Sequence, residues 1–290
     1  MMRFTKFAAT VAAVGALALV GCSGSGTAAP TDEAPVKEDV SFEAGTTMAK
    51  LHDAGKITVG TKFDQPLFGL MGLDGNPEGF DVEIAKLIAA ELGIAPENIE
   101  WVEAVSANRE PFIEKGEVDI VVATYTINDK RKEVVSFAGP YYVAGQDLLV
   151  LSGNPEKIKG IDDVKGKKVC SVTGSTSAQN LKDAGVEVIE TDTYSNCLTP
   201  LRQGEVVAAS TDNVILAGLA DQNPGEFEVV DNPFTEEPYG IGLKKDDTEF
   251  RNFINDTLEK SFKDGSWAKA WESTAGKVLA TPTPPTVDRY

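Results

Sequence analysis

Three cations and one acid stand where the chain leaves apolar runs. Lys62 follows Ile57–Thr61, Arg109 follows Ser106-Ala107-Asn108, and Asp212 follows Ala208-Ala209. Arg131 comes after the run Val118–Ala123 and the hydroxyls of Thr124, Tyr125 and Thr126. A guanidinium fork matches a carboxylate bidentately, and threonine hydroxyls and backbone amides can complete the set. The acid at Asp212 can face an ammonium group. Thr173-Gly174-Ser175-Thr176-Ser177 closes a strand pattern and opens a helix pattern, where free amides and the positive helix end suit an anion. Each feature also has a plainer reading. Arg131 sits in the basic triplet Lys130-Arg131-Lys132, and by spacing alone it reads as solvated surface. Lys62 and Arg109 taken singly read the same way. The serines, threonines and Asp212 read as helix N-caps.

Other chemistry is poorly supplied. His52 is the one histidine, so a zinc site or a Ser-His or Cys-His nucleophile pair has almost nothing to build on. The Thr173–Ser177 stretch lacks the GxxxxGK[ST] spacing of a phosphate loop. No metal and no cofactor is expected, and an enzyme is not.

The elements that must position these residues alternate. Ile57–Thr61, Ile99–Val102 and Val118–Ala123 read as strands, with a helix over Phe80–Gly93 whose Ile84, Leu87, Ile88 and Leu92 share one face. Arg109–Lys115 has room for two helical turns. A second run reads as strands at Leu148–Leu151, Lys167–Val172, Val186–Ile189, Val206–Ala209 and Phe227–Val230. Its helices fall at Ser177–Ala184, Cys197–Gln203 and Asp212–Asp221. Pro238–Leu243 is a further strand, followed by a long helix through Phe250–Phe262 and a short one at Trp267–Trp271. These last helices lack local strands, so they should pack back on the first unit. The pattern predicts two α/β domains of a parallel-sheet type, residues 50–143 plus 239–280 and residues 146–236. Crossovers are expected near Tyr142–Gly145 and Glu236–Pro238. Ligands favour the cleft between such domains, at strand ends. Residues 281–290, with their Thr281-Pro-Thr-Pro-Pro start, are expected to be extended and frayed.

The N-terminus is built for export. Arg3 and Lys6 precede an uncharged apolar run of 13 residues, Ala8–Val20, too short to span a bilayer comfortably, which takes about 20 residues. Leu19-Val20-Gly21-Cys22 resembles the lipobox of bacterial lipoproteins, which makes residues 1–21 a signal peptide and Cys22 a lipid anchor. Residues 22–49 follow as a flexible linker rich in Gly, Ser, Pro and acids. Loss of Arg3 and Lys6 takes the net charge from −18 to −20. So acidic a chain suits neither nucleic acid nor an anionic membrane surface. Cys170 and Cys197 remain as a pair in an exported protein, where disulfides persist. Two free buried thiols are the alternative.

The motifs run in an order that resembles the polar amino-acid binding proteins of ABC importers, family 3 of the bacterial solute-binding proteins. The stretches are Val59-Gly-Thr-Lys-Phe-Asp-Gln-Pro, Gly79-Phe-Asp-Val-Glu-Ile-Ala, Asn108-Arg109 ahead of Gly116-Glu-Val-Asp, and Thr126 ahead of Arg131. Phe137–Tyr142, Gly174-Ser-Thr, Thr211-Asp212 and Glu237-Pro-Tyr-Gly-Ile follow. They cover about residues 50–275. Ala123-Thr-Tyr-Thr-Ile127 and the two cysteines are most similar to the glutamate-binding lipoproteins of actinobacterial importers.

The resemblance implies a type II periplasmic-binding-protein fold, with two hinge crossovers and a central ligand cleft. It implies that Arg131 holds an amino-acid α-carboxylate with Thr126 and Thr176, and that Asp212 holds the α-ammonium. Lys62 and Arg109 would meet a side-chain carboxylate. Thr124, Gly174 and Ser175 complete the expected set, with Gln65 or Phe68 over the ligand where many relatives place an aromatic. Arg131, Lys62 and Arg109 against Asp212 give the site +2, which favours an acidic amino acid, L-glutamate with L-aspartate as the unranked alternative. Glutamine binders carry an acid at the position of Lys62. The expected partners are that ligand and a permease, for a lipid-anchored monomer on the outer face of the cell membrane. A signalling sensor and a cyclohexadienyl dehydratase-like enzyme are the rival readings.

Overall fold

The computed structural model describes residues 35–290. The signal peptide, Cys22 and the first part of the linker lie outside the described residues. Thirteen strands follow in chain order: β1 Ile57–Thr61, β2 Asp64–Gln65, β3 Gly69–Met71, β4 Pro77–Glu78, β5 Ile99–Glu103, β6 Ile120–Val121, β7 Ser136–Ala144, β8 Gln146–Leu151, β9 Lys168–Val172, β10 Glu187–Thr191, β11 Ala208–Asp212, β12 Phe227–Val229 and β13 Glu237–Leu243. The helices are α1 Thr47–Ala54, α2 Phe80–Glu91, α3 Arg109–Lys115, α4 Asp129–Lys132, α5 Thr176–Asp183, α6 Leu198–Arg202, α7 Asn213–Gln222, α8 Thr248–Asp264 and α9 Ser266–Ser273.

Two five-stranded sheets carry the architecture, ordered β5-β1-β6-β13-β7 and β10-β9-β11-β8-β12, and β2-β3-β4 form a small third sheet. Each large sheet is parallel at one end and antiparallel at the other. The sheets are therefore mixed, and not parallel throughout. β7 leaves the first sheet directly into β8 of the second, and β13 returns antiparallel beside β7, with Glu237 opposite Ala144 and Tyr239 opposite Tyr142. Two adjacent strands thus join the lobes.

β7 was not anticipated as a strand. Gly139-Pro140 in its middle reads as a turn. β7 lies at the sheet edge, where a missing N–H is tolerated. The α2 face was legible: Phe80, Ile84 and Ile88 are fully buried, and α9 brings Trp267 and Trp271 onto Phe80 with ring centroids 5.6 and 5.1 Å away. The expected Cys170–Cys197 bridge is present, with Cα atoms 5.5 Å apart, tying β9 to the turn before α6. Among the described residues no helix is long and apolar enough to cross a membrane.

Both ends of the body differ from expectation. The polar linker composition hid an anchor. Phe42 packs edge-on against Phe253 and His52, at 5.6 and 5.7 Å, and Lys37 N–H donates to the Ala90 carbonyl at 3.0 Å. His52 is half-buried, with Nδ1 2.9 Å from the Leu92 carbonyl. The tail is extended but not frayed. The Tyr290 hydroxyl accepts from Phe137 N–H at 2.9 Å, and its ring lies under Lys132 and Arg251 at 3.9 and 4.2 Å. Arg289 pairs with Asp256 and Glu259. One aromatic and two cations on opposing elements outweigh the entropy that composition alone favours.

Candidate functional site

A narrow cavity lies between the lobes, lined by Ser106, Arg109, Thr124 and Thr126 from the first and by Ser175, Thr176, Ser177, Tyr194, Asp212 and Ile215 from the second. Six of the expected residues are in that lining. Lys62 stands behind it, donating to Ser106 Oγ at 2.9 Å, and is 3% exposed. Arg131 closes the cavity from the neighbouring groove, and Gly174 is its partner across the lobes.

Tyr125 explains how two buried guanidiniums can coexist. Its ring is 4.2 Å from the Arg109 guanidinium carbon and 4.9 Å from that of Arg131, so one aromatic face system serves both cations. Arg109 Nη1 donates to the Ala123 and Thr124 carbonyls at 3.1 and 3.4 Å, and Nε to the Ser106 carbonyl at 3.3 Å. Arg131 donates from Nη1 to the Thr126 carbonyl at 2.7 Å, from Nη2 to the Gly174 carbonyl at 3.2 Å, and from Nε to Glu110 at 3.1 Å. A guanidinium has five N–H groups and an ammonium three. Two therefore remain on each of Arg109, Arg131 and Lys62 without an acceptor among the described residues.

Thr124 adopts φ +45°, a left-handed conformation that a β-branched residue enters only when held there. Asp81 does the holding. Its Oδ2 accepts from Thr124 N–H at 2.7 Å and its Oδ1 from the Tyr141 hydroxyl at 2.6 Å. The Thr124 hydroxyl donates to Gln65 Oε1 at 2.9 Å, while the buried Gln65 Nε2 has no partner.

On the second lobe, Asp212 occupies the N-cap position of α7 but its side chain caps nothing. Oδ2 accepts from the Tyr239 hydroxyl at 2.6 Å, and the buried Oδ1 is unpartnered. A buried acceptor left open on a fully enclosed acid is the feature an ammonium would satisfy. Ser175 is a true N-cap, accepting from Ala178 N–H at 2.9 Å and donating to the Val172 carbonyl at 2.7 Å. The Thr176 hydroxyl donates to Glu237 at 2.9 Å. Both hydroxyls are occupied and Ala178 N–H is capped, so what this segment offers an anion is the Thr176 and Ser177 N–H groups at the start of α5, which have no intrahelical acceptor.

Two expectations are corrected. Phe68 is not over the cavity. It is fully buried among Phe80, Tyr142, Tyr239 and Trp271, with centroids 5.9–6.2 Å away. An apolar ring finds more contact in that core than at a cleft rim. The site charge of +2 also fails. Asp81, Glu110 and Glu237 arrive from α2, α3 and β13, so three cations stand against four acids. What survives is placement: Lys62 and Arg109 form no ion pair among the described residues, whereas Arg131 pairs with Glu110.

Burial shapes the titration. Desolvation, with the Arg109 charge next, pushes Lys62 down to about 7. Desolvation raises Asp81 to about 7 against the hydrogen bonds of Tyr141 and Thr124. Asp212 is also raised to about 7, by burial and then by the Glu237 charge. An ammonium would reverse the last shift, and a carboxylate the first.

Ser106, Tyr194 and Ile215 were missed, whereas Ser177 belongs to the Thr173–Ser177 stretch read as suiting an anion. Ser106 lies three residues before Arg109, one turn away, which is a usable signal. Tyr194 carries none, since only the fold brings it 130 residues back to Asp64.

Comparison with known proteins places this arrangement. Residues 57–275 match the model of the bacterial extracellular solute-binding proteins, family 3. The chain is 44% identical to the glutamate-binding protein GluB of Corynebacterium efficiens, over 81% of this chain and 84% of that one. It is 40% identical to the ABC transporter glutamine-binding protein GlnH of Bacillus subtilis, over 78% and 83%. Among solved structures, an ancestral arginine-binding protein bound to arginine superposes with a TM-score of 0.70 at 38% identity, covering 76% of this chain and 98% of that one. An ancestral amino acid-binding protein described as a precursor of cyclohexadienyl dehydratase gives 0.72 at 31%, covering 79% and 99%. The named relatives are binding proteins and not enzymes. With a family match across most of its length and relatives above 40% identity, the chain belongs to the bacterial extracellular solute-binding proteins of family 3.

Proposed function

We propose that the protein captures L-glutamate outside the cell and delivers it to the permease of an ABC importer. The observation that carries the reading is the pair Lys62 and Arg109, buried together with four unused N–H groups and no carboxylate partner among the described residues. A second carboxylate on the ligand is the group that satisfies them. Arg131, with two free N–H groups, takes the α-carboxylate, and Asp212 Oδ1 the α-ammonium. L-Aspartate shares both charges but reaches less far. The GluB relative supports glutamate.

Glutamine is the second reading. It is favoured by the surplus of acids around the cleft and by the GlnH relative. Calorimetric titration of residues 41–290 with the twenty amino acids separates them. Glutamate should bind most tightly, and preference for glutamine or for a cation would overturn the assignment.

Membrane attachment through a lipid on Cys22 belongs to the same proposal. It rests on the Leu19–Cys22 motif, and stable anchoring needs more than one acyl chain. Mass spectrometry of the native protein should find Cys22 as a modified N-terminus. An unmodified Cys22 would refute it.

A further inference from the structure

The lobes also touch beside the cavity, through residues of the first lobe that do not line it. Asp64, on β2 beside the first lobe, accepts from the N–H groups of Tyr194 and Ser195 on the second, at 2.9 and 3.3 Å. These donors lie just before Cys197, which its bridge ties to β9. Next to this contact, Gly218 on α7 meets Pro66. A Cβ at Gly218 would stand 2.5 Å from the Pro66 carbonyl oxygen and 3.1 Å from its carbonyl carbon. Neither Asp64 nor Gly218 lines the cavity.

We infer that the lobes open and close about the two strands that join them, and that Gly218, with Asp64, sets the stability of the closed form and thereby the affinity for every ligand, without contacting any. This rests on the cleft being the ligand site. The reasoning turns on Gly218. It sits inside a helix, where glycine is unfavourable relative to alanine. Its φ is not in the left-handed region, so its own backbone does not require glycine. What excludes a Cβ is backbone from the opposite lobe. When the lobes part, that obstacle leaves, and alanine becomes the better helix residue. One methyl group therefore favours the open form and opposes the closed one. Gly174 makes a similar contact, with a virtual Cβ 2.8 Å from Ala107 Cα, but its φ of +76° demands glycine in either form. Asp64 adds a matching polar contact, since its carboxylate gains the two amides only on closure. Its charge also acts on Lys62, so its removal is the less selective change.

The test uses residues 41–290 as wild type, Gly218→Ala and Asp64→Asn, titrated with the two amino acids that the wild type binds best. Gly218→Ala should weaken both by the same factor, roughly tenfold or more, a shift well resolved by calorimetry. Its ligand-free melting temperature should equal or exceed that of the wild type. Asp64→Asn should weaken both ligands as well. Wild-type affinity in Gly218→Ala, a loss confined to one ligand, or a lowered ligand-free melting temperature would each overturn the inference. A wild type that binds no amino acid would overturn the proposed function, and this inference with it. The wild-type titration alone therefore tells the two failures apart.

Discussion

Arg131→Ala is expected to cost about 2–5 kcal/mol of affinity for every amino acid, or roughly one and a half to three and a half decades. Arg131 holds the Thr126 and Gly174 carbonyls and Glu110, and keeps two N–H groups for a carboxylate. Truncation removes that fork, leaves the ligand anion without a partner and frees Glu110 from its cation. Arg131→Lys separates fork from charge. It retains a cation but loses the bidentate geometry, so it should recover only part of the loss. Titration with glutamate and glutamine is the measurement, with ligand-free melting as the check on folding. Wild-type affinity for either amino acid in Arg131→Ala would remove Arg131 from the site.

Lys62→Met is expected to narrow the gap between glutamate and glutamine by roughly tenfold or more, a decade being about 1.4 kcal/mol. Only glutamate brings the second carboxylate that Lys62 would meet. The pH profile gives an independent readout. In the empty site Asp212 is raised to about 7, and an ammonium lowers it again. Binding then releases a proton below that value, so affinity for every amino acid rises with pH up to about 7 and levels off.

Lys62 works in the opposite sense. Burial holds it at about 7, and a ligand carboxylate raises it. Binding then takes up a proton above that value, so glutamate affinity falls as pH rises beyond it. Asp64, Asp81, Arg109 and Arg131 also act on Lys62, but they face it alike with either ligand and do not create the difference between glutamate and glutamine. The wild type should therefore show a bell-shaped profile for glutamate and a plateau for glutamine. Lys62→Met should convert the bell to a plateau. A glutamate profile in Lys62→Met that still falls above neutrality, or unchanged discrimination, would show that Lys62 does not read the ligand.

The local grammar of this chain was strong. The 3.6-residue repeat of α2, the short β-rich runs of β1, β5 and β9, and the glycine stops need only a few neighbours to operate, and they appear where periodicity places them. The motif order was enough to identify the fold and most cavity-lining residues. Where local signals conflicted with position in the sheet, position prevailed: Gly139-Pro140 is harmless on an edge strand. The end segments followed the same logic. Phe42 and Tyr290 gain partners that composition cannot count.

What the sequence determined by itself is the set of charges at strand ends, because strand, turn and helix start are encoded within a few residues of each. What only the tertiary structure decided is which charges meet. Asp81, Glu110 and Glu237 join the cations from three separate elements, so charge counted along the motifs came out at +2 and the assembled site does not. Tyr125 meets two guanidiniums that lie 22 residues apart in the chain. Phe68 turns into the core, and Tyr194 and Gly218 reach the other lobe. Electrostatic energy depends on distance and burial, and excluded volume on ångström-scale approach. Neither quantity exists for the chain until the lobes are folded and set against each other.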